Sequence, residues 1–275
     1  MQQLTKNVFV ETNYKGCNAS FVVTREGVVM IDSPGAPTQA SQWRQEMLKR
    51  GPISYLINTE PHVDHVSGDF FFPGTLIGQE GVRQALSRPN AAKEFLGWMK
   101  TADPEGFSQV NGYQVKLPDI TFSKELTVYA GDHTFELYHL PGHTPSQTAI
   151  YVPQEKVLFT GDNIVYRRQP YFFESLPFQW LESLKRIGQF DADYIVPGHG
   201  DVCRDKKYVQ EFSAFIQEWL DAVKKAIDQG LSKEAIINSI SFLDRYPMNP
   251  GRESFGPELQ RQSASRFYDV LTQSR

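Results

Sequence analysis

Thr59-Glu60-Pro61-His62-Val63-Asp64-His65-Val66-Ser67-Gly68 sets Glu60, His62, Asp64 and His65, four metal-competent side chains, within six residues, directly after the apolar run Ile53 to Ile57. The run reads as a buried strand, and the prolyl residue Pro61 turns the chain out of it into a loop. A strand end that delivers carboxylates and imidazoles into a loop is how a rigid scaffold presents metal ligands.

Upstream, Val8 to Val10 and Phe21 to Thr24 are short β-rich runs, and Arg25-Glu26-Gly27 reads as a tight turn into Val28 to Asp32. This opening is antiparallel. A helix over Thr38 to Lys49 then precedes Ile53 to Ile57, so the rhythm changes to strand, helix, strand. Downstream, helical stretches are expected at Glu80 to Ser87 and Ala91 to Lys100, with Phe70, Phe71 and Phe72 as core. The runs Asp119 to Phe122, Leu126 to Tyr129, Thr134 to His139, Thr148 to Val152 and Val157 to Thr160 come at close spacing and suggest a second sheet. After a helix over Gln179 to Ile187, the last β-rich piece is Tyr194 to Val196. Beyond it the apolar residues Tyr208, Phe212, Phe215, Ile216, Trp219, Leu220, Val223 and Ile227 recur at three- and four-residue intervals, the stripe of an amphipathic helix that packs one face. Helices over Ser232 to Ile240 and Glu258 to Gln273 complete the expectation.

The 275 residues are enough for one large core. Apolar content of 40% and charged content of 22% are ordinary for a globular protein. A formal net charge of -4 gives no basic footprint for nucleic acid. No apolar run approaches the roughly 18 residues that span a bilayer, and Met1 to Asn7 has no apolar signal core, so a cytoplasmic protein is expected. Cys17 and Cys203 are too few for a disulfide framework and read as ordinary partly buried thiols.

Three further motifs put a glycine beside a ligand-type residue at a strand end: Pro141-Gly142-His143-Thr144, Thr160-Gly161-Asp162 and Pro197-Gly198-His199-Gly200. With the opening stretch, they make a set that resembles the metallo-β-lactamase superfamily, whose pattern is HxHxDH followed by a His, an Asp and a His. The resemblance covers about Asn7 to Gly200. It implies an αββα sandwich over residues 1–203, with a helical C-terminal extension over 204–275, and a site for two divalent ions, zinc first, with manganese or iron as alternatives. Carried over position by position, Glu60, His62 and His143 would hold the first ion, Asp64, His65 and His199 the second, and Asp162 would bridge them. His133 and His139 lack motif context and read as structural. Asp32 reads either as a turn former or as a group orienting the metal loop.

Glu60 is the departure, because the family pattern has His there. With Asp64 and Asp162 it makes a harder, more anionic donor set, which suits manganese or iron better than an imidazole-rich site would. The resemblance also implies chemistry. Members that hydrolyse β-lactams generally lack the bridging Asp, whereas thioesterase-like, lactonase-like, phosphodiesterase-like and persulfide-oxidising members have it. The expected activity is therefore hydrolysis of an ester, lactone or thioester of a small molecule by a metal-bound hydroxide, with Asp64 orienting it and carrying the proton. The alternatives are an iron-dependent oxygenase or persulfide dioxygenase, and a non-catalytic sensor or binding protein. Tyr166, Arg167 and Phe172, in the aromatic and basic segment after Asp162, are the expected substrate contacts. The terminal helices would wall a pocket or make a homodimer.

Overall fold

The computed structural model describes residues 1–273. Its first sheet has seven strands in sequence order. Strands β1 (Gln2–Gln3), β2 (Val8–Glu11), β3 (Ala19–Thr24) and β4 (Gly27–Ile31) are antiparallel, and β5 (Ile53–Ile57), β6 (Thr75–Gln79) and β7 (Ile120–Phe122) continue in parallel. The second sheet has the order β12-β11-β10-β9-β8, from β8 (Glu125–Ala130), β9 (His133–His139), β10 (Thr148–Val152), β11 (Val157–Val165) and β12 (Tyr194–His199). It is antiparallel except between β11 and β12. The two-residue edge strand β1 is polar and exposed, so no apolar signature announces it.

Residue alternation builds the layers. Val8, Val10, Val29 and Ile31 point inward to meet Val128, Phe135, Leu137, Ile150, Val157 and Phe159 of the second sheet. Their neighbours Phe9, Val28 and Met30 point outward under α1 (Pro37–Leu48), whose Ala40, Trp43 and Met47 recur at helical spacing and are fully buried. Pro37 starts that helix, where its missing N–H costs nothing. The same side carries α2 (Val63–Val66), α3 (Glu80–Leu86) and α4 (Ala91–Ala102), joined through Val66, Val82, Leu86 and Phe95.

On the outer face of the second sheet, Ala149, Leu158 and Ile195 pack under α5 (Pro177–Ile187) and α6 (Lys207–Asp228), with α7 (Lys233–Ser239) and α8 (Gly256–Gln273) beside them. The α6 stripe is buried from Tyr208 to Val223, with Ile227 half-buried at its end, and burying Phe212, Ile216 and Val223 contributes roughly 1.5–3 kcal/mol each. The result is an αββα sandwich with a helical C-terminal extension. Cys17 and Cys203 are buried free thiols. Among the described residues no helix is long and apolar enough to cross a membrane.

Candidate metal centre

At the C-terminal end of β5, Asn58 to Pro61 is followed not by the expected open loop but by one helical turn, α2. His62 stays extended at φ -66, ψ 146 and caps the turn, and His65 N–H donates to His62 O at 2.9 Å. Asp32, directly after β4, holds this turn. It adopts the left-handed region at φ 51, a conformation that Asp tolerates better than most residues. From there its carboxylate accepts from Thr59 N at 2.8 Å and Thr59 Oγ1 at 2.6 Å, and pairs with His65 Nδ1 at 2.9 Å. The two readings of Asp32 are therefore both realised: a strained turn residue that also aims His65 Nε2 into the centre.

The second sheet supplies the other side. The sequence suggests that β11 ends at Thr160, but the strand runs on to Val165 through register shifts around Gly161, whose φ of +49 makes a bulge. That bulge presents Asp162. His143 follows β9, its N–H donating to Asn163 Oδ1 at 3.0 Å, and His199 ends β12. Gly198 is required by proximity, since a Cβ there would lie 1.8 Å from Asp162 Oδ1. Asn18 pins the end of β12 to the first sheet, donating from Nδ2 to Pro197 O at 2.9 Å and Gly200 O at 2.8 Å.

All seven candidate ligands converge. Glu60, His62 and His143 form one cluster, Asp64, His65 and His199 a second, and Glu60, His65 and Asp162 a third. Within each cluster the ligand atoms lie within 4.8 Å of one another. His143 Nε2 is 3.1 Å from His62 Nδ1 and 3.6 Å from Asp162 Oδ2. His199 Nε2 is 3.3 Å from both Asp64 Oδ2 and Asp162 Oδ2, while His65 Nε2 is 3.4 Å from Asp162 Oδ1. Asp162 thus touches members of both outer clusters.

Electrostatics follow from opposite charges crowded out of water. Burial opposes ionisation of Glu60, Asp64 and Asp162, yet the surrounding imidazoles outweigh it and hold all three carboxyls low. Burial likewise opposes charging of the imidazoles. Glu60 and Glu174 nevertheless push His62 up to about 10, and Asp162 and Asp64 push His199 to about 10. His143 goes the other way, because burial there exceeds the pull of Glu60 and Asp162.

The donor set fits a divalent ion. His65 Nε2 and Asp162 Oδ1 are buried, face each other, and have no hydrogen-bond partner among the described residues. Imidazole and carboxylate together suit zinc, manganese or iron(II).

The expected substrate contacts fare differently. Phe172 is 1% exposed and packs on Trp180, Trp219 and Phe267, so its ring belongs to the core and offers no face to a ligand. Tyr166 is half-buried against Tyr208, and its N–H donates to His199 O at 2.8 Å, so its backbone supports the centre. Arg167 is exposed, with φ 51, and its guanidinium lies over Tyr166. Of the Phe70 to Phe72 run, only Phe72 is buried.

Residues without a motif also matter. Glu174 Oε1 lies 2.7 Å from His62 Nε2, a contact between positions 112 residues apart that no local pattern foreshadows. Thr59, Asn163 and Asn18 act through backbone or carboxylate partners and are equally silent in the sequence. His133 contacts Asp132 and Glu155, and His139 contacts Pro145 O, away from the centre.

A sequence profile described as the metallo-beta-lactamase superfamily matches residues 13–199. The chain is similar to the 2,4-dinitroanisole O-demethylase subunit alpha of Nocardioides sp. (strain JS1661), with 26% identity over 90% of this chain and 70% of that protein. It is also similar to the metallo-beta-lactamase type 2 of Elizabethkingia meningoseptica, with 24% identity over 80% and 85%. A metallo-beta-lactamase family protein from Thermus thermophilus superposes with a TM-score of 0.66 at 16% identity, covering 98% of this chain and 94% of that one.

Proposed function

The chain belongs to the metallo-beta-lactamase superfamily, and from that premise we propose that it is a metal-dependent hydrolase that cleaves an ester, lactone or thioester bond of a small molecule. The observation that carries the proposal is Asp162, a buried carboxylate in contact with His143, His65 and His199 at once. Glu60, His62 and His143 would hold one ion, Asp64, His65 and His199 the other, with Asp162 between them. Divalent ions bound there supply an acidified water and polarisation of the scissile carbonyl.

The residues divide the remaining work. Asp64 is the carboxylate of the centre that keeps contact with solvent, its side chain 25% exposed, and it pairs with His199. With its carboxyl held ionised, that position suits it to orient the attacking water by accepting a hydrogen bond from it. His65 is oriented by the buried Asp32 carboxylate, and Asp162 lies against His143, His65 and His199. Protein loaded with zinc, manganese and iron in turn is to be assayed against a panel of esters, lactones and thioesters. Turnover of at least one class is expected, and inactivity on all of them with full metal occupancy sinks the proposal.

One observation favours a second reading. Glu60 makes three carboxylates at the centre, a harder donor set that suits iron and with it oxygen chemistry on a thiol or persulfide. Iron in anaerobically purified protein, together with oxygen uptake on thiol substrates, would replace hydrolysis as the assignment.

A further inference from the structure

We infer that Tyr171, Phe173 and Phe255 form an aromatic lip at the mouth of the metal centre that receives an aromatic ring of the substrate. The inference rests on the hydrolase reading above and extends it to substrate class. Phe173 immediately precedes Glu174, whose carboxylate contacts His62 from outside the centre, so the lip starts next to that outer contact. Phe172 is anchored in the core, and its neighbours on either side, Tyr171 and Phe173, meet Phe255 of the extension. Tyr171 and Phe255 stack at 6.1 Å and 16°, Phe173 meets Phe255 edge-on at 6.4 Å and 85°, and Tyr171 meets Phe173 at 5.4 Å and 85°. The rings are not sealed off: Phe173 is 46% exposed. Tyr171 is near enough to the centre to respond to it. Burial raises its hydroxyl, Arg252 lowers it, and Asp64 and Asp162 raise it further.

The segment that carries the lip is held in place by the extension. Gln169 N–H donates to Pro247 O at 3.0 Å, and Gln169 Nε2 donates to Phe242 O at 2.8 Å and Tyr246 O at 2.9 Å. Gln260 Nε2 donates to Gln169 Oε1 at 3.1 Å, and Arg266 Nε to Ser175 O at 2.9 Å. The exposed Phe173 ring and the half-buried Tyr171 and Phe255 rings sit on a segment fixed from behind, so a ligand ring meets them without first ordering them. Mixed stacked and edge-on geometry rewards a flat π-system over a saturated ring of the same size, by up to about tenfold in affinity.

The test uses zinc-loaded full-length protein and calorimetric titration with phenylacetate and cyclohexylacetate, which share a carboxylate and a reach and differ only in the ring. Phenylacetate is expected to bind about tenfold tighter. Phe173→Leu, which keeps apolar area and removes the ring, is expected to erase that preference at unchanged zinc content, and Phe173→Tyr to retain it. Equal affinities in the wild type, no measurable binding of either acid, or a preference that survives Phe173→Leu would each overturn the inference. The methyl and thiomethyl esters of the two acids separate this from the parent reading: preference in binding with no hydrolysis of either ester counts against the hydrolase and leaves the lip standing.

Discussion

His62 Nε2 and the Glu174 carboxylate lie 2.7 Å apart, so this imidazole is gripped on the side opposite Nδ1, which faces Glu60 and His143. A ligand whose far nitrogen is engaged keeps its tautomer and its orientation. Glu174→Ala is expected to weaken metal binding at the Glu60, His62 and His143 cluster by roughly 10- to 100-fold. Glu174→Gln, which keeps an accepting oxygen, should recover part of it. Chelator competition measures the affinity, and an unchanged melting temperature excludes a folding defect.

Glu60 is fully buried and touches His62, His143 and Asp162 N–H, so its removal leaves that corner of the centre without a carboxylate. Glu60→Ala should lower the metal content toward one ion per chain. Glu60→His should retain two and shift the preference toward zinc. Elemental analysis after reconstitution with mixed zinc, manganese and iron reads both outcomes.

Loading the centre should release protons. His62 and His199 both stand near 10 in the metal-free protein, so at pH 7 they carry protons that a coordinating nitrogen must lose. Their raised values stabilise the metal-free fold fully below about 6.5, and that contribution fades as pH rises through about 10. Metal affinity should therefore climb with pH across the same window. Titration calorimetry in buffers of different ionisation enthalpy should give at least two protons released at pH 7, and none would contradict the assignment of these ligands.

Asp69 sits behind the metal loop and is 1% exposed. Burial pushes its carboxyl up to about 7, against the weaker opposing pull of Ser33, Asn58 and Lys116. The folded state thus holds the proton longer than the unfolded chain does, and stability falls as pH rises from about 4 to 7. The span of roughly three pKa units corresponds to a loss on the order of 4 kcal/mol. Asp69→Asn should flatten the pH dependence of urea unfolding between pH 4 and 7, and an unaltered slope would show that Asp69 ionises freely.

What can be read from the sequence tracks how local the physics is. Glu60 to His65 announce themselves because four donors fall within six residues after an apolar strand. His143, Asp162 and His199 are legible because each sits beside a glycine at a strand end. The α6 stripe and the inward alternation of β2, β4 and β11 follow from periodicity. Glu174 is hidden because its partner is 112 residues away, and nothing in Phe173-Glu174-Ser175 marks it. Phe172 reads as a substrate contact and is core instead, because its burial depends on how α6 and α8 pack over the second sheet, which periodicity does not specify. Whether Asp32 only turns the chain or also orients His65 depends on its left-handed backbone, which no composition rule supplies. The bulge at Gly161 extends β11 past its apparent end for the same kind of reason.

Each of the three donor clusters described at the centre draws on both halves of the sandwich. Glu60, His62, Asp64 and His65 come from the first sheet's side, and His143, Asp162 and His199 from the second's. An ion held by any of them is a strut between two sheets that otherwise meet mainly through apolar contacts and a few clamps such as Asn18. Each of these three clusters is completed only across the sandwich, so uptake there would report that the two sheets have docked in register. The binding energy is then returned to that docking by mass action. The candidate ligands and the keystone of the architecture are the same few atoms.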